Sequence, residues 1–171
     1  MILHSDSPDT TRAIGAALAR AVLQSSVESA IVIALNGELG AGKTTFVGGL
    51  LRALGVVGAV RSPTYTLIEV YELTKVNRSV SHLDLYRLAD ASELEMLAPR
   101  DLLEPRAVLL VEWAERGGKA LPKADLEITF CYPESDVGAD ARAIKVEFHS
   151  PVGGVLGASL NPVPNETQLS L

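Results

Sequence analysis

The feature that most constrains this chain is a glycine-bearing turn set between an apolar run and an amphipathic stretch. Ile31 to Asn36 is short, apolar and β-branched, the pattern of a strand buried on both faces. Gly37-Glu38-Leu39-Gly40-Ala41-Gly42-Lys43-Thr44 follows at once. Lys43 to Leu54 then places Phe46, Val47, Leu50, Leu51 and Leu54 on one helical face, with Gly55 as the stop. Strand, loop and helix in this order satisfy the phosphate-binding (P-loop) pattern in full. Glycines let the backbone turn so that successive N–H groups point at phosphate oxygens. The helix behind the loop offers unpaired N–H groups and its positive dipole end to the same anion. Lys43 supplies a full charge for the β- and γ-phosphates, and Thr44 offers a hydroxyl to Mg²⁺.

Such a loop needs an acid at the end of a neighbouring buried strand to hold Mg²⁺, directly or through water. Glu112 ends the run Ala107 to Val111, and Asp84 lies in His82-Leu83-Asp84-Leu85-Tyr86-Arg87. From the residues alone, at least one of these two acids is expected at the metal. Ser62-Pro63-Thr64 comes soon after the P-loop helix, where P-loop switches place a γ-phosphate sensor, although an ordinary turn would read the same way. His82 reads as a structural hydrogen-bonding residue rather than a catalyst. Trp113 follows Glu112, and neighbouring strand residues face opposite ways. It is therefore expected to pack beside the site or line a partner surface, and not to ligate metal.

Elsewhere, Ser7-Pro8 reads as an N-cap and first turn for a helix carrying Ile14, Ala17, Leu18, Ala21 and Val22 on one face. Tyr65 to Glu72 and Ser79 to Leu85 form a predicted hairpin, and Asp90-x-x-Glu93 opens a short helix through Leu97. Leu126, Ile128 and Phe130 alternate with polar residues, as do Ile144, Val146 and Phe148, giving two half-exposed strands. The expected fold is α/β: a P-loop NTPase domain with a mixed, partly antiparallel central sheet flanked by helices. Residues 1–150 are read as that single domain, and 151–171 as a Pro/Gly-containing tail, loosely docked or disordered.

No apolar run approaches membrane-spanning length, and the first residues lack a signal-peptide layout. The single cysteine, Cys131, suits a reducing compartment, and it is expected to be a small buried or half-buried strand residue. These features predict a cytoplasmic protein. The net charge of −6 and the absence of a Lys/Arg cluster argue against unaided binding of nucleic acid.

The quoted residues resemble the TsaE (YjeE) family of bacterial ATPases, which are needed to make threonylcarbamoyladenosine in tRNA. The resemblance runs roughly from Ser7 to Phe148. It rests on the P-loop through Thr45-Phe46, on Ser62-Pro63-Thr64-Tyr65-Thr66-Leu67, on the His82 to Arg87 block, and on Val111-Glu112-Trp113 with Leu121-Pro122. It implies ATP and Mg²⁺ as cofactors, and the TsaD and TsaB proteins as partners through which tRNA is reached indirectly. The nucleotide contacts implied are Gly37, Leu39, Gly40, Ala41, Gly42, Lys43, Thr44 and Thr45, with Arg142 matching a family residue near the nucleotide. Thr44 and Glu112 are implied as Mg²⁺ ligands. Asp84 is implied to assist hydrolysis, with Lys43 as the second catalytic residue. Two stretches depart from the family pattern: Leu97-Ala98-Pro99-Arg100, which lacks an expected glycine, and the tail.

A P-loop kinase for a small metabolite is the main alternative, but only Arg100 and Arg106 fall where a lid would carry arginines over the phosphates. A GTPase would show Asn-Lys-x-Asp for guanine. The nearest match, Pro122-Lys123-Ala124-Asp125, has proline where the asparagine amide is needed. ATP is therefore the expected nucleotide.

Overall fold

The computed structural model describes residues 1–58, 60, 62–133 and 139–160. Its elements in chain order are β1 (Ile2–Ser5), α1 (Pro8–Gln24), β2 (Ile31–Gly37), α2 (Lys43–Ala53), β3 (Ile68–Leu73), β4 (Arg78–Asp84), α3 (Ala91–Met96), β5 (Val108–Glu112), β6 (Leu126–Cys131), β7 (Arg142–Phe148) and α4 (Pro151–Ala158). Among the described residues the strands form one seven-stranded sheet in the order β1-β7-β6-β2-β5-β4-β3. The central strands β6, β2, β5 and β4 are parallel. The outer pairings β1–β7, β7–β6 and β3–β4 are antiparallel, so the sheet is mixed as expected.

The two faces of the sheet are covered differently. On one face α1, α2 and α4 pack over Ile31, Ile33, Leu35, Val108, Leu110, Leu126 and Ile128. On the other, Val32, Leu83, Leu109 and Val111 are covered by Leu94 of α3 and by irregular chain carrying Leu102, Leu103 and Leu121. β2 and β5 are buried on both sides, which explains their unbroken apolar runs. Helices α1 and α2 approach closely because glycines stand at their contact. A Cβ on Gly15 would lie 2.2 Å from the Phe46 carbonyl oxygen, and one on Gly49 would lie 2.1 Å from that of Arg12. Ser7 caps α1 by accepting the Thr10 N–H at 3.2 Å, with Pro8 in the first turn.

Three expectations are corrected here. β3 begins at Ile68, later than expected, because Pro63 to Leu67 form a turn closed by the Leu67 N–H on the Pro63 carbonyl at 2.7 Å. Cys131 is exposed, since it shares its sheet face with Glu127 and Thr129 rather than with the core residues of β6. The segment after residue 150 is not a loose tail over its first part. Ser150 caps α4 by accepting the Gly153 N–H at 3.1 Å, and Leu156 is fully buried. Gly153 lies so close to the Asp125 carbonyl that any side chain there would clash. Residues 161–171 of the expected tail lie outside the described residues.

β1 was not anticipated; its alternating exposed and buried residues pair with β7. At the opposite border lies β3, where Glu69, Val70 and Glu72 are exposed. No helix among the described residues is long and apolar enough to cross a membrane.

Candidate functional site

The sheet order decides where the glycine loop emerges. β2 lies between β5 and β6; the chain leaves β2 towards β3 and β4 on one side and leaves β5 towards β6 on the other, so the C-terminal end of β2 borders the crevice where open α/β sheets bind ligands. The loop from Gly37 to Gly42 fills that position. Gly40 (φ 76°) and Gly42 (φ 105°) adopt left-handed backbone that side chains disfavour. Gly42 precedes α2 without any side-chain cap, so the first N–H groups of the helix face the crevice without a capping partner.

Lys43 curls back under the loop and is only 4% exposed. Its ammonium donates to the carbonyls of Gly37 at 2.5 Å and Glu38 at 2.8 Å, and lies 3.8 Å from the centre of the Trp113 ring. Burial pushes this ammonium below the ordinary lysine range, while the charges of Glu112, Glu115 and Asp84 pull it back up.

The two acids are registered partners on adjacent parallel strands, Asp84 on β4 and Glu112 on β5, and both are buried. Glu112 accepts the Thr44 hydroxyl at 2.8 Å on one oxygen and His82 Nε2 at 2.9 Å on the other. Asp84 accepts the Tyr86 N–H at 2.9 Å on Oδ1. Its Oδ2 takes the hydroxyls of Thr64, at 2.8 Å, and of Ser62. Asp84 therefore ties the Ser62-Pro63-Thr64 turn to the end of β4. Arg87 stacks on Tyr65, its guanidinium 4.3 Å from the ring centre.

These groups line a cleft of about 320 Å³ formed by loop residues 39–45 with Ser62, Thr64, Asp84, Tyr86, Glu112 and Trp113. Leu39, Gly40, Ala41, Gly42, Lys43, Thr44 and Thr45 are thus brought together as expected. Gly37 lies beneath, serving Lys43 through its carbonyl. Arg142 is placed differently. Its guanidinium donates to the carbonyls of Ala41 at 3.2 Å and Gly40 at 3.3 Å and stacks on Tyr132 at 4.4 Å. It is not among the residues lining the cleft, and holds the loop through these two carbonyls. Trp113 also departs from the strand argument. β5 ends at Glu112, and Trp113 turns into left-handed backbone (φ 58°), which brings its ring into the same cleft. Tyr86, with its ring 5.1 Å from that of Trp113, was quoted from the sequence without a role.

The family model for threonylcarbamoyl adenosine biosynthesis protein TsaE matches residues 5–143, most of the chain and every residue of the cleft. The chain belongs to the TsaE family. It is 41% identical over 139 residues to the tRNA threonylcarbamoyladenosine biosynthesis protein TsaE of Haemophilus influenzae, covering 81% of this chain and 84% of that protein. It is also 40% identical over 97 residues to the protein of that name from Bacillus subtilis, covering 57% and 59% of the two chains. The crystal structure of Bacillus subtilis YdiB superposes with a TM-score of 0.69 at 28% identity, over 94% of this chain and 93% of that one. The P-loop NTPase fold expected from the sequence is thereby shown. The TsaE match ends at residue 143, so α4 lies beyond it.

Chemically, the cleft offers an open helix N-terminus and a lysine for an anion, and hydroxyl and carboxylate oxygens for a hard cation. No group of three or more His, Cys, Asp or Glu gathers among the described residues. A cation held by Thr44 and Glu112 would therefore need water or ligand oxygens to complete its shell, which is the habit of Mg²⁺.

Proposed function

We propose that this chain binds Mg²⁺–ATP in the cleft and hydrolyses it in support of threonylcarbamoyladenosine formation in tRNA. It acts with the TsaD and TsaB proteins in the cytoplasm and does not itself transfer the threonylcarbamoyl group. The observation that carries this reading is the convergence of Lys43, Thr44, Asp84 and Glu112 at the open end of α2. Lys43 would contact the β- and γ-phosphates, and Thr44 and Glu112 would hold Mg²⁺, whose chemistry is to neutralise the charge developing on the transferred phosphoryl group. Asp84, by holding Ser62 and Thr64 beside the cleft, would order the turn against the γ-phosphate.

Hydrolysis by the isolated chain is expected to be slow. No arginine lines the cleft among the described residues; Arg116 donates to the Tyr86 carbonyl and Arg142 to the loop carbonyls. An arginine supplied in trans can raise such rates by roughly 10³–10⁵-fold. Phosphate release from ATP should therefore rise severalfold or more when TsaD and TsaB are added. A fast rate indifferent to both proteins would contradict the reading.

Trp113, the sole tryptophan, should report binding. In the structure Lys43 rests on its indole, and phosphate oxygens would draw the ammonium away. A saturable fluorescence change is expected with Mg²⁺ and a non-hydrolysable ATP analogue. Glu112→Gln should raise the Mg²⁺ concentration needed for that change while leaving metal-free nucleotide affinity nearly intact. If it leaves the Mg²⁺ dependence untouched, Asp84 is the metal residue instead.

A further inference from the structure

His82 is a fully buried ionisable side chain to which the proposed chemistry gives no work. We infer that His82 is a positioning residue that holds Glu112 in a one-oxygen binding geometry and so favours Mg²⁺ over Ca²⁺ at the site. The inference rests on the Mg²⁺–ATP reading given above. On β4, His82 is registered with Leu110 of β5, so Glu112 stands two residues further along the same face. The carboxylate is gripped at both oxygens: Nε2 of His82 lies 2.9 Å from Oε1, and the Thr44 hydroxyl lies 2.8 Å from Oε2. The main chain is pinned as well, because the Leu85 N–H donates to the Glu112 carbonyl at 3.0 Å.

The ring's other nitrogen supplies the second observation. Nδ1 of His82 is buried and has no hydrogen-bond partner among the described residues. A carboxylate can only accept, so the ring proton of the contact sits on Nε2. A histidine present for packing alone carries the penalty of that orphaned nitrogen, which an apolar side chain would avoid. The bond to Glu112 is what the histidine gains in return. His82 fixes Oε1 on its own side, so the oxygen that stands beside Thr44, and would take a cation in place of the Thr44 hydrogen, is Oε2. One carboxylate oxygen and a hydroxyl suit the small octahedral shell of Mg²⁺, whereas Ca²⁺ readily takes carboxylates through both oxygens. Partners that orient a metal ligand commonly matter 10–100-fold in affinity.

The test measures ATP-analogue affinity of the full chain by calorimetry across Mg²⁺ and Ca²⁺ concentrations, for wild type, His82→Leu and His82→Gln. His82→Leu is expected to raise the half-saturating Mg²⁺ concentration about 10-fold or more and to narrow the preference for Mg²⁺ over Ca²⁺. Its metal-free nucleotide affinity should be unchanged. His82→Gln, whose amide N–H can stand near the position of Nε2, should recover most of the loss. Wild-type metal dependence in His82→Leu overturns the inference, as does an equal loss in both variants or a loss that persists without metal. Should His82→Leu fail to fold, the ¹⁵N spectrum of the wild-type imidazole decides: a proton on Nε2 supports the inference and one on Nδ1 overturns it. Absence of any Mg²⁺ dependence in the wild type would instead remove the site reading itself, and this role with it.

Discussion

Lys43→Ala is expected to weaken ATP binding by about two orders of magnitude or more while leaving the fold intact. Two charge-assisted hydrogen bonds to phosphate are each worth roughly 1.5–3 kcal/mol, so losing both costs about 3 kcal/mol at least. Calorimetric titration measures the loss, and wild-type affinity in the variant would refute the assignment of the loop. The structure adds a second expectation with the opposite sign. Burial holds the Lys43 ammonium below its ordinary value of 10.5, so the folded chain holds this proton less tightly than the unfolded chain does. The charge therefore costs stability in full below the folded pKa, and the cost is relieved as pH rises from there towards 10.5. Removing it should leave the melting temperature of the nucleotide-free protein at or above that of the wild type at neutral pH. A lysine kept against the interest of the fold is what a binding residue looks like energetically.

Asp84→Ala should act on the other half of the cycle. Hydrolysis in the presence of TsaD and TsaB is expected to fall about 100-fold, with ATP affinity changed only a fewfold, a split that marks work done in the reaction step. The structural reason is that Asp84 gathers three donors, the hydroxyls of Ser62 and Thr64 and the Tyr86 N–H, at the wall of the cleft. Without it the Ser62-Pro63-Thr64 turn loses its anchor, although Lys43 and the loop N–H groups remain. Rapid phosphate-release measurements beside equilibrium binding separate the two effects. A parallel loss of both would move Asp84 from the reaction to nucleotide binding.

How far the sequence disclosed this arrangement depends on the range of the interactions involved. The P-loop was legible because its chemistry is local: glycines, lysine and threonine lie on one short stretch bounded by a recognisable strand and helix. The pairing of Asp84 with Glu112 was half legible. Each acid ended a strand-like run, but only the β4–β5 register sets them side by side. Trp113 packs beside the site as expected, but not by strand alternation: that argument runs one residue past the end of β5, into left-handed backbone. Arg142 was expected near the nucleotide; its place is set by the Gly40 and Ala41 carbonyls, about a hundred residues away in sequence, and by Tyr132 just past the end of the neighbouring strand β6. β1 escaped notice because four residues are too few for a period. The start of α4 carries a local signal: Ser150-Pro151 repeats the Ser7-Pro8 pattern, and both serines accept an N–H three residues on.

The outer strand β3 has a consequence for how copies of this protein behave when crowded. Among the described residues no strand pairs with its outer edge, where N–H and C=O groups are open to another strand. Glu69 and Glu72 stand exposed along it, so a second β3 laid edge to edge would bring carboxylates towards carboxylates. The overall charge of −6 adds repulsion between copies at longer range. The acids on this border thus guard against polymerisation, ending the sheet where a fibre could otherwise begin.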